Sequence, residues 1–304
     1  MRVHRVLLIV NPVARTYSKP VLAVIEKALS ADFRLEVAET KGRGHAKELA
    51  AQAASEGIDM VAVLSGDGTI NEVVNALAGS ETALAPLPGG ATNILVRALG
   101  LPLDPVEATG TLISKALDDE AFKLNLGRAD GRYFAVNCGA GVDAAAMKRL
   151  DMKFPRTKEK FDRVAFRAVA WELLVGYAGR RPDLRVSVDG AEEIAALSVM
   201  VGRTDPYTYY KGVGLRMTPV ASLDKGLDML SVRKLARRSV PRIAWQVFGS
   251  ARHVHGRDIE YVHDAERVLV TSETSFPVQV DGDVYGEHRR LEMTMAPEAL
   301  WVVA

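Results

Sequence analysis

Cysteine is nearly absent: Cys138 stands alone among 304 residues. No intramolecular disulfide can form, and no Cys/His cluster has the spacing of a zinc site. Long hydrophobic runs are missing as well. No stretch approaches the roughly 18 uninterrupted apolar residues of a transmembrane helix, so none is expected. Nor is there an excess of charge of one sign. The 39 Lys and Arg against 38 Asp and Glu leave a formal net charge of +1, so no global field recruits nucleic acid or an anionic membrane. Attraction to a membrane would have to be local. Repeats and low-complexity segments are absent too, and the lone cysteine fits a reducing cytoplasm.

What is present is a chain able to bury a core, with 48% hydrophobic and 25% charged residues. Two arginines precede the apolar run Val6 to Val10, but that run is too short for a signal-peptide core and stops at Asn11-Pro12. It reads as a buried first strand. Through the first 120 or so residues, strand-like runs (RVLLIV, FRLEVAET, MVAVLS) alternate with helical patterns (PVLAVIEKALSA, HAKELAAQAASEG, NEVVNALAGS). This alternation predicts a doubly wound, mostly parallel α/β domain. Ligands of such sheets bind at the carboxyl ends of the strands, where Asn11, Thr40 and Ser65 fall.

From Lys123 the texture changes to short runs such as RYFAVNCGA, AALSVMVG, ERVLVTS and FPVQVDGD, separated by Gly, Pro, Asp and Asn. An antiparallel β-sandwich is expected over 123–289, after an α/β domain over 1–122, with the apolar tail in 290–304 returning to the first core. Helical periodicity interrupts the second part at Lys158 to Gly179 and at Val240 to His253.

The strongest local signal is Ser65-Gly66-Asp67-Gly68-Thr69-Ile70-Asn71-Glu72, directly after the buried run ending at Leu64. A glycine-rich turn between strand and helix leaves backbone amides open where the helix dipole favours anions. It lacks the Gly-Lys-Ser/Thr ending of a P-loop and is not G-x-G-x-x-G. By itself it is equally a tight turn in which Asp67 or Thr69 caps a helix.

SGDGTINEVVNAL resembles the G-G-D-G-T-x-N-E-V-x-N signature of the diacylglycerol kinase catalytic domain, shared with sphingosine and bacterial lipid kinases. The companions occur in that family's order. They are Asn11-Pro12, Thr40 with Gly44-His45-Ala46, PLPGGATNILVRALGLP with Gly90, Asn93 and Arg97, and VNCGAGVDA with Asn137, Gly141 and Asp143. PVASLDKGLDML and VQVDGD follow. The likeness spans residue 10 to about 285. Three departures stand out: Ala91 with a threonine one place later at Thr92, Lys225 beside Asp224, and Asp283 where relatives carry Glu.

The resemblance implies ATP and Mg²⁺, with a lipid hydroxyl as acceptor, most simply diacylglycerol. Nucleotide binding is then expected at Asn11, Thr40, Ser65, Gly66, Asp67, Gly68, Thr69, Asn71, Gly90, Thr92 and Asn93. Asp67 would hold Mg²⁺ or orient the attacking hydroxyl, and Asp224 would anchor a metal. Asp283 would serve as general base with Asp281 beside it, although sphingosine-kinase-like relatives point to Asp67 instead. Without the resemblance, Asp281-Gly282-Asp283 reads as a hairpin turn, Asp224 as a turn aspartate, Cys138 as a small core residue and His45 as the opening of a helix. Two further readings stay open, an NAD-kinase-like enzyme and a regulator whose catalysis has decayed.

A lipid substrate implies a membrane surface, reached peripherally at the cytoplasmic face. One basic cluster joins Arg156, Lys158, Lys160, Arg163 and Arg167 to Phe161, Phe166, Trp171 and Leu174. A second comprises Arg233, Lys234, Arg237, Arg238 and Arg242. Each is either a solvated face over a core stripe or a rest on anionic lipid. Oligomeric state leaves no trace in the sequence.

Overall fold

A computed structural model of the chain describes residues 2–153 and 168–304. There are two compact units, Met1–Leu126 with Ala296–Ala304, and Gly127–Met295.

In the first unit β1 (Arg5–Val10), α1 (Lys19–Asp32), β2 (Arg34–Glu39), α2 (His45–Ser55), β3 (Met60–Ser65), α3 (Asp67–Leu77), β4 (Ala83–Pro88), α4 (Ile94–Ala98) and α5 (Pro105–Leu117) alternate. β2, β1, β3 and β4 pair in that order, all parallel, and Val302 near the end of the chain pairs parallel with Leu84 of β4. β3 and β4 are buried at every residue. That is why they read as unbroken apolar runs: helices cover both faces, and each fully buried Val or Leu contributes roughly 1.5–3 kcal/mol. β2 lies at the edge, and its residues are largely exposed. Ser18 accepts from the Val21 amide to open α1, and Asp104 accepts from Val106 and Glu107 to open α5. α1 packs beside α5, and α2 beside α3.

β5 (Phe122–Ala129) leads into the second unit. There follow β6 (Arg132–Phe134), β7 (Asn137–Ala140), α6 (Val142–Lys153), a π-helical turn (Glu172–Tyr177), β8 (Leu184–Val188), β9 (Ile194–Ala196) and β10 (Ser198–Gly202). After these come β11 (Thr208–Tyr210), β12 (Val213–Leu215), β13 (Leu227–Val232), α7 (Val240–Phe248), β14 (Ile259–Ala265), β15 (Arg267–Val280) and β16 (Asp283–Val302), whose last residues re-enter the first unit. The order β14-β13-β10-β7-β15-β16 is antiparallel throughout. The first half of β15 pairs with β8, which pairs with β9, so one long strand serves both arms of the β structure. Their common core includes Phe134, Val186, Val201, Val268, Val278 and Met293. The fold class read from the sequence, a parallel α/β domain followed by an antiparallel β-rich one, is the one observed. Of the helical stretch expected from Lys158, only the part from Ala168 can be described, and the basic residues Arg156 to Arg167 lie outside the described residues.

Candidate active site

Three strand ends of the first unit, those of β1, β3 and β4, are laced together. The Asn11 amide N–H donates to Leu64 O at 3.2 Å, and its side-chain Nδ2 donates to Thr69 Oγ1 at 3.2 Å. Gly89 N donates to Ser65 O at 2.8 Å, and Arg15 N donates to Gly89 O at 2.8 Å. Thr40, at the end of β2, donates its amide to Val10 O at 2.8 Å.

The glycines are there because two backbones touch. A Cβ on Gly66 would lie 3.2 Å from Gly90 Cα, one on Gly90 2.8 Å from Gly66 Cα, and one on Gly89 2.5 Å from Ser65 Cα. Only glycine lets the β3–α3 and β4–α4 turns cross this closely. The crossing sits at the start of α3, whose first-turn amides have no intrahelical carbonyl to bond and whose dipole favours an anion.

Asp67, first residue of α3, is turned to its neighbours. Its Oδ1 accepts from Ile94 N at 2.7 Å and Leu95 N at 3.4 Å, so it caps α4, and its Oδ2 accepts from Thr92 Oγ1 at 2.8 Å. Burial pushes its carboxyl above the usual range, against the pull of these donors. The shifted threonine therefore reaches the aspartate. Asn93 is left-handed (φ 48°) and folds its amide onto Gly90, accepting from Gly90 N at 2.7 Å and donating to Gly90 O at 3.2 Å. Arg97 Nε donates to Thr92 O at 2.9 Å. Ser65 and Asn71 are buried beneath the turn, and Asn71 accepts from Asn75 Nδ2. Thus Asn11, Gly66, Asp67, Gly68, Thr69, Gly90, Thr92 and Asn93 come together, Thr40 ends the neighbouring strand, and Ser65 and Asn71 form the floor. His45 opens α2, its Nδ1 accepting from Lys41 N at 3.1 Å.

In the second unit Asp281 and Gly282 are the two turn residues between β15 and β16, both with positive φ (47° and 81°). The Asp281 carboxylate accepts from three successive amides, Ala135 N (2.9 Å), Val136 N (3.0 Å) and Asn137 N (2.8 Å). It fastens the hairpin to the turn before β7. Asp283, one residue beyond the turn, is 7% exposed and meets Arg132 Nη2 at 3.3 Å. The two aspartates thus have different surroundings although they flank one glycine.

Behind them lies a polar group that the sequence marked only as landmarks. Gln279 Nε2 donates to Asn137 Oδ1 at 2.7 Å and to Asp143 Oδ2 at 2.8 Å, while its Oε1 accepts from Gly282 N at 2.8 Å. The Tyr207 hydroxyl also bonds Asp143. Burial pushes the Asp143 carboxyl up to about 6, with the Gln279 bond opposing. Between the ordinary value of 3.8 and about 6, the folded protein binds this proton more tightly than the unfolded chain. The group's contribution to stability therefore falls as pH rises through that window. Comparing Asp143→Asn with the wild type by thermal unfolding, from about pH 4.5 to about pH 7.5, the variant should gain on the wild type by about 2 kcal/mol. A pH-independent difference would contradict this.

Asp224, expected to anchor a metal, sits in the loop before β13. Asp224 is exposed and accepts from Ser222 Oγ, a bond that lowers its carboxyl below the usual range. The carbonyls around it point at a different cation. Arg203, 0% exposed, donates Nη1 to Lys225 O and to Gly226 O (2.5 Å), and Nη2 to Leu223 O at 2.6 Å. A guanidinium thus gathers three carbonyls of this loop. Burial lowers the Arg203 group to about 10, with Asp228, Asp224 and Asp264 acting to hold its charge. No group of three or more His, Cys, Asp or Glu among the described residues is arranged to hold a metal ion.

The family described as the diacylglycerol kinase catalytic domain matches residues 5–121, and the YegS C-terminal NAD kinase beta sandwich-like domain matches residues 136–304. The diacylglycerol kinase of Bacillus subtilis (strain 168) is 26% identical over 291 residues, 93% of this chain and 90% of that protein. That of Staphylococcus haemolyticus (strain JCSC1435) is 26% identical over 286 residues, 92% of this chain and 82% of that protein. The crystal structure of a candidate diacylglycerol kinase from Bacillus anthracis str. Sterne superposes with a TM-score of 0.79 at 25% identity, covering 100% of this chain and 96% of that one. The chain belongs to the diacylglycerol kinase catalytic-domain family of lipid kinases, enzymes whose phosphate donor is ATP.

Proposed function

We propose that this protein transfers the γ-phosphate of ATP to the hydroxyl of a membrane lipid, with diacylglycerol as the first acceptor to test. The observation that carries the reading is the glycine crossing of Gly66 on Gly90 at the start of α3, where a polyphosphate can approach bare backbone. Phosphoryl transfer asks the protein for positioning, charge neutralisation and a proton acceptor rather than covalent chemistry. The Gly66 to Thr69 turn supplies the positioning. Asn11 and Thr40 border the nucleotide, and Ser65 and Asn71 support it from below. Asp67, Thr92 and Asn93 are positioning residues that hold the two turns against each other. Mg²⁺ carried on the nucleotide would supply charge neutralisation at its phosphates, since no cluster of acidic side chains among the described residues is arranged to hold it.

Asp283 is the general base in this reading. Asp281 is bound to three amides that fix it in the hairpin, and Asp283 stands beside the Arg132 guanidinium at the position where the resemblance puts the base, which must come within reach of the hydroxyl or of one bridging water. Its side chain is one methylene shorter than the glutamate of relatives, which favours the water. The enzyme works peripherally at the cytoplasmic membrane face, and no helix among the described residues is long and apolar enough to cross a membrane.

Incubation of the protein with radiolabelled ATP, Mg²⁺ and a total lipid extract should label a single lipid class that comigrates with phosphatidic acid. NAD in a parallel reaction tests the NAD-kinase-like alternative, which the description of the second-unit family keeps in view. Label in NADP and none in lipid would sink the proposal.

A further inference from the structure

Trp245 is 81% exposed, more than any other large hydrophobic residue among those described. It lies on α7, whose inner face is already occupied: Val240 and Ile243 pack on Tyr177, Leu197 and Leu235. The outer face carries Pro241, Arg242 and Trp245, with Trp245 four and three residues on from the other two, and Arg238 stands in the 3-10 turn (Arg237–Ser239) that leads into the helix; all four are exposed. An indole left in water on a helix that has a core-facing side of its own is not there for the core.

Its electrostatic setting is one-sided. From Arg233 to Arg257 the sequence holds seven Lys and Arg and no Asp or Glu, in a chain whose overall charge is +1. All seven are exposed, and only Arg233 has an acidic partner, Glu260 at 3.8 Å, in the described structure. Indole prefers the boundary between headgroup and acyl chain, and arginines beside it bind anionic headgroups while their stems cover apolar surface. A duplex nucleic acid would use the charge but leave the indole without a purpose.

We propose that the outer face of α7, with Trp245 as the inserted anchor and Arg238 and Arg242 as headgroup contacts, docks this protein on an anionic bilayer. The proposal rests on the lipid-kinase reading for its biological sense, but it can be tested without it. The footprint is an interfacial helix, with one ring entering the acyl boundary and the backbone remaining outside.

Sedimentation with vesicles of phosphatidylcholine containing about 30 mol% phosphatidylglycerol, compared with phosphatidylcholine alone, reads the attraction between the basic face and anionic lipid. The wild type should partition at least about tenfold more strongly to the anionic vesicles, with indole emission shifted to the blue and binding weakened by added salt. Arg238→Glu with Arg242→Glu, and separately Trp245→Ser, should each lose about tenfold in partitioning. The Trp245→Ser variant should also lose the blue shift. Both should retain the wild-type Tm and wild-type transfer to a short-chain diacylglycerol dispersed in detergent. Unchanged vesicle binding in the variants, equal binding to neutral vesicles, or tighter binding to a duplex RNA than to anionic vesicles would overturn the proposal. Vesicle binding that depends on α7 in a protein that phosphorylates no lipid would leave the docking face standing and remove the kinase reading alone.

Discussion

Replacement of Asp283 by Asn is expected to lower kcat by about 10²- to 10³-fold while leaving the KM for ATP within about twofold, because a positioned base contributes on this scale and the bonds that shape the nucleotide turns, Asn11 to Thr69 and Asp67 to Thr92 and Ile94, lie within the first unit. An asparagine oxygen still accepts from Arg132, so the 3.3 Å contact has a neutral substitute and Tm should hold. Asp281→Asn should behave in the opposite way. There the new amide nitrogen would face one or more of the Ala135, Val136 and Asn137 amides, donor against donor, and the hairpin should loosen. Tm should then fall, and activity with it, recovering on cooling. Kinetics and thermal unfolding measured on both variants separate the roles. If Asp283→Asn retained wild-type kcat, the base would have to be sought elsewhere, with Asp67 next in line.

The second large effect concerns Arg203. Arg203→Met removes a buried cation and leaves the carbonyls of Leu223, Lys225 and Gly226 facing a thioether. Leaving acceptors of this kind without their donor costs about 1–3 kcal/mol, which for a unit of this size corresponds to a fall in Tm of about 5 °C. The wild type, conversely, should show the same Tm with and without a chelator, since the loop from Ser222 to Gly226 is organised by the Arg203 side chain. A drop of more than about 5 °C on adding chelator, well beyond what a fraction of a kcal/mol produces, would mean that a divalent ion stabilises the fold after all.

How much of this could be read in the sequence depended on distance along the chain. The strand–turn–helix around Ser65 to Asn71 was legible because its signals are adjacent: an apolar run, two glycines, then helical periodicity. The β4–α4 turn was legible as a resemblance, but its partnership with Asp67 was not. A carboxylate capping a helix 27 residues onward leaves no local pattern. Asp281 and Asp283 look interchangeable in VQVDGD and differ only once the positive φ of Asp281 turns its side chain onto the amides before β7. The surroundings of Asp224 were hidden for a related reason. Nothing within the DKGLD stretch announces that a guanidinium from the end of β10 gathers its carbonyls. Asp143 was quoted as a landmark and given no task, since its burial beside Gln279 and Tyr207 is a property of the assembled second unit.

The return of Ala296–Ala304 to the first unit sets an order of events during synthesis. Residues 127–295 are synthesised before the segment that places Val302 against Leu84 exists. The nucleotide-binding unit therefore waits, with an edge of β4 unpaired, while the β-rich unit has all of its own residues available to fold. Its sheet becomes complete only after Val302 is made, so a chain cut short before that residue leaves β4 with an open edge.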